Sequence, residues 1–281
     1  MVLLYFPVFL NRNCSTQPLF VFNMFIDSHC HLDRIDLAPY QNDFSSFIKE
    51  AKNSQIDHML CIAIDLESYP AMLELVKDYP EISLSVGVHP NVHEGKDPSA
   101  EELIELADNP KVIAIGETGL DYFRSEGDLE WQHQRFRNHI QAAKVTQKPL
   151  IIHTREAGHD SLDVLANEGA DQVGGIIHCF TEDWAYAKKA LDIGFYISFS
   201  GIVTFKNAQA IKEVAKKVPA DRFLIETDSP YLAPVPYRGK PNYPTYVRYV
   251  AEHIAELRGT TVEEIARLST DNFNSLFKLN Q

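Results

Sequence analysis

The amino-acid sequence predicts a single-domain (β/α)8 TIM barrel, and three observations carry the prediction. After Met24, short β-branched runs alternate with amphipathic stretches of helical period, repeating about every 30 residues as successive βα units do. The runs number eight, the strand count of a closed barrel. Ligand-type polar residues interrupt them at their C-terminal ends, where a barrel keeps its active site. A doubly wound open sheet would lack the eighth strand and would place its ligand at a Gly-rich turn, which is absent here.

In chain order the strands are expected at 25–29 (FIDSH), 58–64 (HMLCIAI), 82–88 (ISLSVGV), 112–117 (VIAIGE), 149–153 (PLIIH), 174–178 (GGIIH), 195–200 (FYISFS) and 223–228 (FLIETD). Between them, 129–147 (LEWQHQRFRNHIQAAKVTQ) reads as a helix, as does 183–194 (DWAYAKKALDIG), which ends on Gly194 where a left-handed cap is favoured. Thr261 and Glu264 have capping-box spacing ahead of Ile265, Leu268, Leu276 and Phe277, which are available to dock a final helix. No linker, charge run or low-complexity segment divides residues 24–281, so one domain is expected there. Residues 1–23 are apolar but broken by Pro7 and Arg12 and carry no basic start. They read as an N-terminal extension outside the fold, not a membrane span.

A formal net charge of -13 over 281 residues argues against broad clamping of duplex nucleic acid, which relies on a basic surface. It leaves room for a short polyanion held locally by metals and a few arginines. Cys14, Cys30, Cys61 and Cys179 are far apart, with no C-x-x-C spacing, so neither a zinc knuckle nor a disulfide framework is suggested. A reducing cytoplasm fits best.

The chemistry sits at the strand ends: the first strand ends in His29 and His31, the fourth in Glu117, the fifth in His153, the sixth in His178 and the eighth in Asp228. Alternation along a strand points His29 and His31 the same way and turns Cys30 toward the helices. Four imidazoles and two carboxylates exceed the needs of one tetrahedral ion and suit two divalent cations sharing a bridging carboxylate. His29, His31 and Asp228 are expected to hold one cation, His153 and His178 the other, with Glu117 bridging. The mixed nitrogen and oxygen set suits Zn²⁺ or Mn²⁺, while Mg²⁺ prefers oxygen and water.

These residues, with HPN (89–91), GETGLDY (116–122), HTREA (153–157), HCF (178–180) and IETDSPYLAP (225–234), make the chain resemble a TatD-type metal-dependent hydrolase. The resemblance runs from Met24 to about Phe277 and implies a barrel related to the amidohydrolases, a divalent metal centre and deoxyribonuclease activity. It places metal positions on His29, His31, Glu117, His153, His178 and Asp228, and a second acidic position on Glu226.

Glu226, two residues before Asp228, is expected beneath the metals, and Asp27 stands in the same relation to His29. His89, Arg155, Arg238 and Lys240 are candidate substrate contacts, the last three for phosphate. The chemistry expected is attack by a metal-activated water on a phosphodiester, with Asp228 orienting that water or accepting its proton. DNA, as single strands or 3′ ends cut in 3′–5′ exonuclease fashion, is the expected substrate. The alternative is amidohydrolase-like cleavage of an amide or ester, since the same activated water attacks a carbonyl carbon. No membrane or obligate protein partner is expected.

Overall fold

The computed structural model describes residues 24–279; the extension expected at 1–23 lies outside the described residues. Eight parallel strands pair in sequence order: β1 (Phe25–Cys30), β2 (Ile56–Cys61), β3 (Ile82–Val86), β4 (Val112–Asp121), β5 (Leu150–Arg155), β6 (Gly175–Ile177), β7 (Phe195–Phe199) and β8 (Phe223–Ile225). The ring is nearly closed. β8 returns to β1 through a single bridge, Cys30 to Ser229, with the His31 N–H on Ser229 O at 2.8 Å and the Asp228 N–H on His29 O at 2.9 Å.

Two apolar layers follow from the alternation of side chains. The larger lies between strands and helices and includes Cys30 and Cys61, as expected for Cys30. The smaller takes Ile26, Leu60, Ala114, Ile151, Ile176, Tyr196 and Leu224 from seven strands and is closed by Phe273 and Phe277 of the last helix, Val262–Phe277. This plug fills the barrel beneath the strand ends. The helix starts as its sequence requires, with Thr261 Oγ1 accepting the Glu264 N–H at 3.2 Å. Only half of the capping box forms, because the Glu264 carboxylate turns to Arg267.

Helices Glu130–Thr146 and Trp184–Asp192 stand where the sequence placed them, and Gly194 is left-handed at φ 84. Strand ends differ in a way that matters for the site. β4 runs four residues past Glu117, to Asp121, while β6 stops before His178 and β8 stops three residues before Asp228. His178 and Asp228 therefore belong to the loops just above their strands. Among the described residues no helix is long and apolar enough to cross a membrane.

Candidate metal centre

Glu117 leaves β4 between Gly116 and Gly119, and both glycines are required by how closely β4 lies against β5. A Cβ on Gly119 would stand 2.0 Å from His153 O, and one on Gly116 2.7 Å from Ile151 O, at φ of +132 and +145 that L side chains rarely adopt. This approach sets Glu117 beside His153. On the opposite side of the ring, Asp228 takes a left-handed φ of 56, so strand alternation cannot relate it to Glu226. The turn carries both carboxylates to the site by a different route from the one expected.

All six predicted ligands converge. Glu117 Oε1 lies 2.7 Å from His178 Nε2 and 3.1 Å from His153 Nδ1, while Oε2 faces His29 Nε2 at 3.5 Å. Asp228 Oδ1 is 3.5 Å from His29 Nε2 and 3.4 Å from His31 Nε2. The two oxygens of Glu117 thus look toward two different sets of imidazoles, the arrangement a bridging carboxylate needs. His29 and His178 stack face to face, with ring centroids 3.9 Å apart.

Acceptors behind three of the rings fix their orientation. His31 Nδ1 donates to Ile62 O at 3.1 Å, His153 Nε2 to Asp121 Oδ2 at 3.0 Å, and His178 Nδ1 lies 3.4 Å from Glu226 Oε1. Glu226 also accepts the Cys179 N–H at 2.8 Å, which places its carboxylate behind the His178 ring. Asp27 does not share that role. The β1–β2 register shifts between Asp27 and Cys30, which breaks the alternation that would have set Asp27 below the His29 ring. Its carboxylate instead takes the backbone N–H groups of Thr227 and His29 and the Thr227 hydroxyl, and burial pushes its pKa up to about 8 against the pull of those donors.

The electrostatics favour a cation. Burial raises the Glu117 carboxyl, but His178, His89 and His153 outweigh it and hold Glu117 well below the usual carboxylate range. Burial lowers His178, yet Glu117 and Glu226 lift it well above the ordinary imidazole value. A field that holds a proton on that nitrogen also holds a metal there, since the two compete for one lone pair. Both nitrogens of His29, His178 Nε2 and Glu226 Oε2 are buried without a hydrogen-bond partner, the 2.7 Å approach of His178 to Glu117 being out of line for one. Buried polar atoms almost always find partners, so these orphaned donors fit a metal-binding role. Three sets of ligand atoms lie within 4.8 Å of one another: His29, His31 and Glu117; His29, His178 and Glu226; and His89, Glu117 and His153.

Above this floor opens a cavity of about 980 Å³. Arg155, Arg238 and Lys240, the candidate phosphate contacts, line it together with Arg34 and Arg124, which sequence reasoning did not single out. Arg155 lies over Phe123 at 3.9 Å and Arg238 over Phe205 at 4.2 Å. His89 also faces inward, 3.4 Å from Glu117 Oε1. Asp121 and Asn91 were missed as site residues, although both stand in the quoted GETGLDY and HPN segments. Asp121 is four residues beyond Glu117, an even spacing that strand periodicity could have read, had β4 been given its full length.

The family described as TatD related DNase matches residues 26–278. Uncharacterized metal-dependent hydrolase YcfH of Escherichia coli strain K12 is 46% identical over 254 residues, covering 90% of this chain and 96% of its own. Uncharacterized metal-dependent hydrolase YabD of Bacillus subtilis strain 168 is 43% identical over 260 residues, covering 92% and 100%. Among solved structures, YJJV, a TatD homolog from Escherichia coli K12, superposes with a TM-score of 0.82 at 28% identity, over 90% of this chain and 98% of that one. The chain belongs to the TatD-related DNase family and is a metal-dependent hydrolase.

Proposed function

We propose that the chain hydrolyses phosphodiester bonds at single-stranded or 3′ ends of DNA, in 3′–5′ exonuclease fashion, using two divalent cations held by His29, His31, Glu117, His153, His178 and Asp228. The observation that carries this reading is the ring of Arg34, Arg124, Arg155, Arg238 and Lys240 lining the cavity above the ligands, in a chain whose formal charge is -13. Cationic side chains gathered at one cavity of an acidic protein draw a polyanion toward it. Two of the guanidinium groups lie over aromatic rings, and Phe123 is itself 54% exposed, so bases beside the phosphates have aromatic surface to stack on. Stacking of that kind needs unpaired bases.

Glu117 presents one oxygen to each side of the centre, and His31, His153 and His178 turn their inner nitrogens inward because their outer ones are committed. Divalent cations bound there lower the pKa of a water and neutralise charge on the scissile phosphate. Asp228 lines the cavity with its carboxylate between His29 and His31, where it orients the attacking water and accepts its proton at a carboxylate oxygen. Arg155 and Arg238 hold neighbouring phosphates and so keep the chain in register.

A substrate panel on protein reconstituted with Mn²⁺, Zn²⁺ or Mg²⁺ tests this: single-stranded DNA, duplex DNA, RNA, aminoacylated RNA and small amides. Release of mononucleotides from single-stranded DNA is expected, with about two ions bound per chain by elemental analysis. Turnover of an amide with no cleavage of any oligonucleotide overturns the proposal in favour of amidohydrolase-like chemistry.

A further inference from the structure

His89 stands among the candidate ligands by distance, and its hydrogen bonds set it apart from them. A backbone N–H can only donate, and the Asn91 N–H reaches His89 Nδ1 at 3.0 Å. Nδ1 must therefore carry a lone pair, and the ring's one proton sits on Nε2. That nitrogen points inward, 3.3 Å from His153 Nδ1 and 3.4 Å from Glu117 Oε1. His31, His153 and His178 are wired the opposite way: their outer nitrogens face a carbonyl or a carboxylate, which takes the proton outside and leaves a lone pair inside. A lone pair binds a metal, whereas an N–H does not.

Bonds at both ends hold this tautomer. Asn91 gives its backbone N–H to His89 and its side-chain amide to Asp121 Oδ2 at 2.7 Å. Asp121 accepts His153 Nε2–H, and His153 Nδ1 faces His89 Nε2–H, so donation runs from Asn91 to Asp121 both directly and through His89 and His153. Asp121 cannot reverse it, because its other oxygen is taken by the Phe123 and Arg124 N–H groups, each at 3.0 Å. His89 is fixed further by its own backbone, whose N–H bonds Ile64 O at 2.9 Å and whose carbonyl accepts Arg135 at 2.8 Å. The ring lines the cavity.

We infer that His89 is no metal ligand but a neutral hydrogen-bond donor, whose Nε2–H meets an oxygen of the group undergoing hydrolysis. The inference rests on the reading that the cations occupy the Glu117 cluster. Once His153 Nδ1 is committed to a cation it can no longer accept from His89, and the N–H is free for a substrate oxygen on which charge develops. A donor held in place before reaction costs no reorganisation when that charge appears.

Two measurements decide it. In Zn²⁺-loaded protein with ¹⁵N-labelled histidine, long-range ¹H–¹⁵N NMR should assign the proton of His89 to Nε2; a proton on Nδ1 overturns the inference. His89→Gln and His89→Ala should bind metal within about threefold of the parent, where loss even of a partner behind a ligand costs about ten- to a hundredfold and loss of a ligand such as His153 costs more. On whichever substrate of the panel is hydrolysed, His89→Ala should lower kcat about 10²- to 10³-fold with little change in KM, and Gln, which keeps an N–H, should restore part of it. Metal loss equal to that of His153→Ala, or an Ala variant with parental kcat, refutes the role. Failure to cut DNA would sink the nuclease proposal alone, since tautomer and metal affinity are read without it.

Discussion

At the N-terminal end of the barrel, Ile26, Leu60, Ile151 and Leu224 meet Phe273 and Phe277, and His58 finds Ser83 Oγ at 2.9 Å. At the C-terminal end, His29 of β1 and His178 just beyond β6 stack, with both nitrogens of His29 and Nε2 of His178 lacking a hydrogen-bond partner in the protein. One end is packed for stability and the other holds polar atoms that gain partners only from outside the chain. The difference teaches that a residue's place along its strand, more than its type, decides what it does. His58 and His29 are both strand histidines, and only the second faces other ligands. Substitutions at the two ends should therefore fail in different assays.

The largest effect is expected at the upper end. Glu117→Ala removes the carboxylate that both imidazole sets face, so activity should fall at least about 10³-fold. The rise in Tm that Mn²⁺ gives the parent should vanish, because that rise is binding free energy added to the folded state. His153→Ala should chiefly weaken one of the two ions. If Glu117→Ala keeps both ions and the parental rate, the carboxylate is structural and the two ends are not divided as described.

The converse holds at the plug. Phe273→Ala opens a cavity where seven strands converge and should cost about 3–5 kcal/mol by urea denaturation. The kcat of the molecules that remain folded should match the parent. A fall in kcat larger than the fall in folded fraction would mean that the plug shapes the site, and the division between ends would blur.

The same contrast explains what could be read from the sequence. Apolar runs broken by a histidine or carboxylate at one end are visible residue by residue, and they yield the eight strands and six side chains that converge in the fold. What escaped was set by pairing between distant strands. Asp121 reaches His153 because β4 continues alongside β5, with Asp121 opposite Arg155, and no local pattern records that. Asp27 was misplaced because the register shift in β1 resets its face. Arg34 and Arg124 look like any exposed arginine until the loops above the strands bring them to one cavity.

A smaller effect separates the ends by pH. Burial lowers His58 to about 4, whereas the unfolded chain titrates near the ordinary imidazole value of 6.5. The unfolded state takes the proton first, so folded stability contributed by neutral His58 is present above about pH 6.5 and is lost as pH falls toward 4. His139, buried and likewise lowered to about 4, adds a parallel loss, so the difference between two proteins is the measurement that counts. Between pH 6.5 and 4 His58→Gln should lose about 1–3 kcal/mol less than the parent by denaturant titration. Superimposable curves would show that His58 keeps its ordinary titration in the fold.

The smallest effect belongs to the rim of the upper end, where charge is exposed and each contact is screened. Arg155 ends β5 and the Arg238–Lys240 pair stands on the segment after β8, so each can meet a different phosphate of one bound strand. The metals can neutralise only the scissile phosphate, and the acidic chain repels the rest. Removing a rim cation should therefore weaken binding without touching the bond-breaking step: Arg155→Ala, or Arg238→Ala with Lys240→Ala, should raise KM for an oligonucleotide severalfold and leave kcat near the parent. Each lost phosphate contact should also flatten the plot of log KM against log salt by about 0.7 for a single strand. A small neutral ester, having no further phosphates, should be hydrolysed as before. If the rim variants cut DNA normally across the salt series and lose ester or amide turnover instead, the rim serves a smaller substrate and the nuclease reading falls.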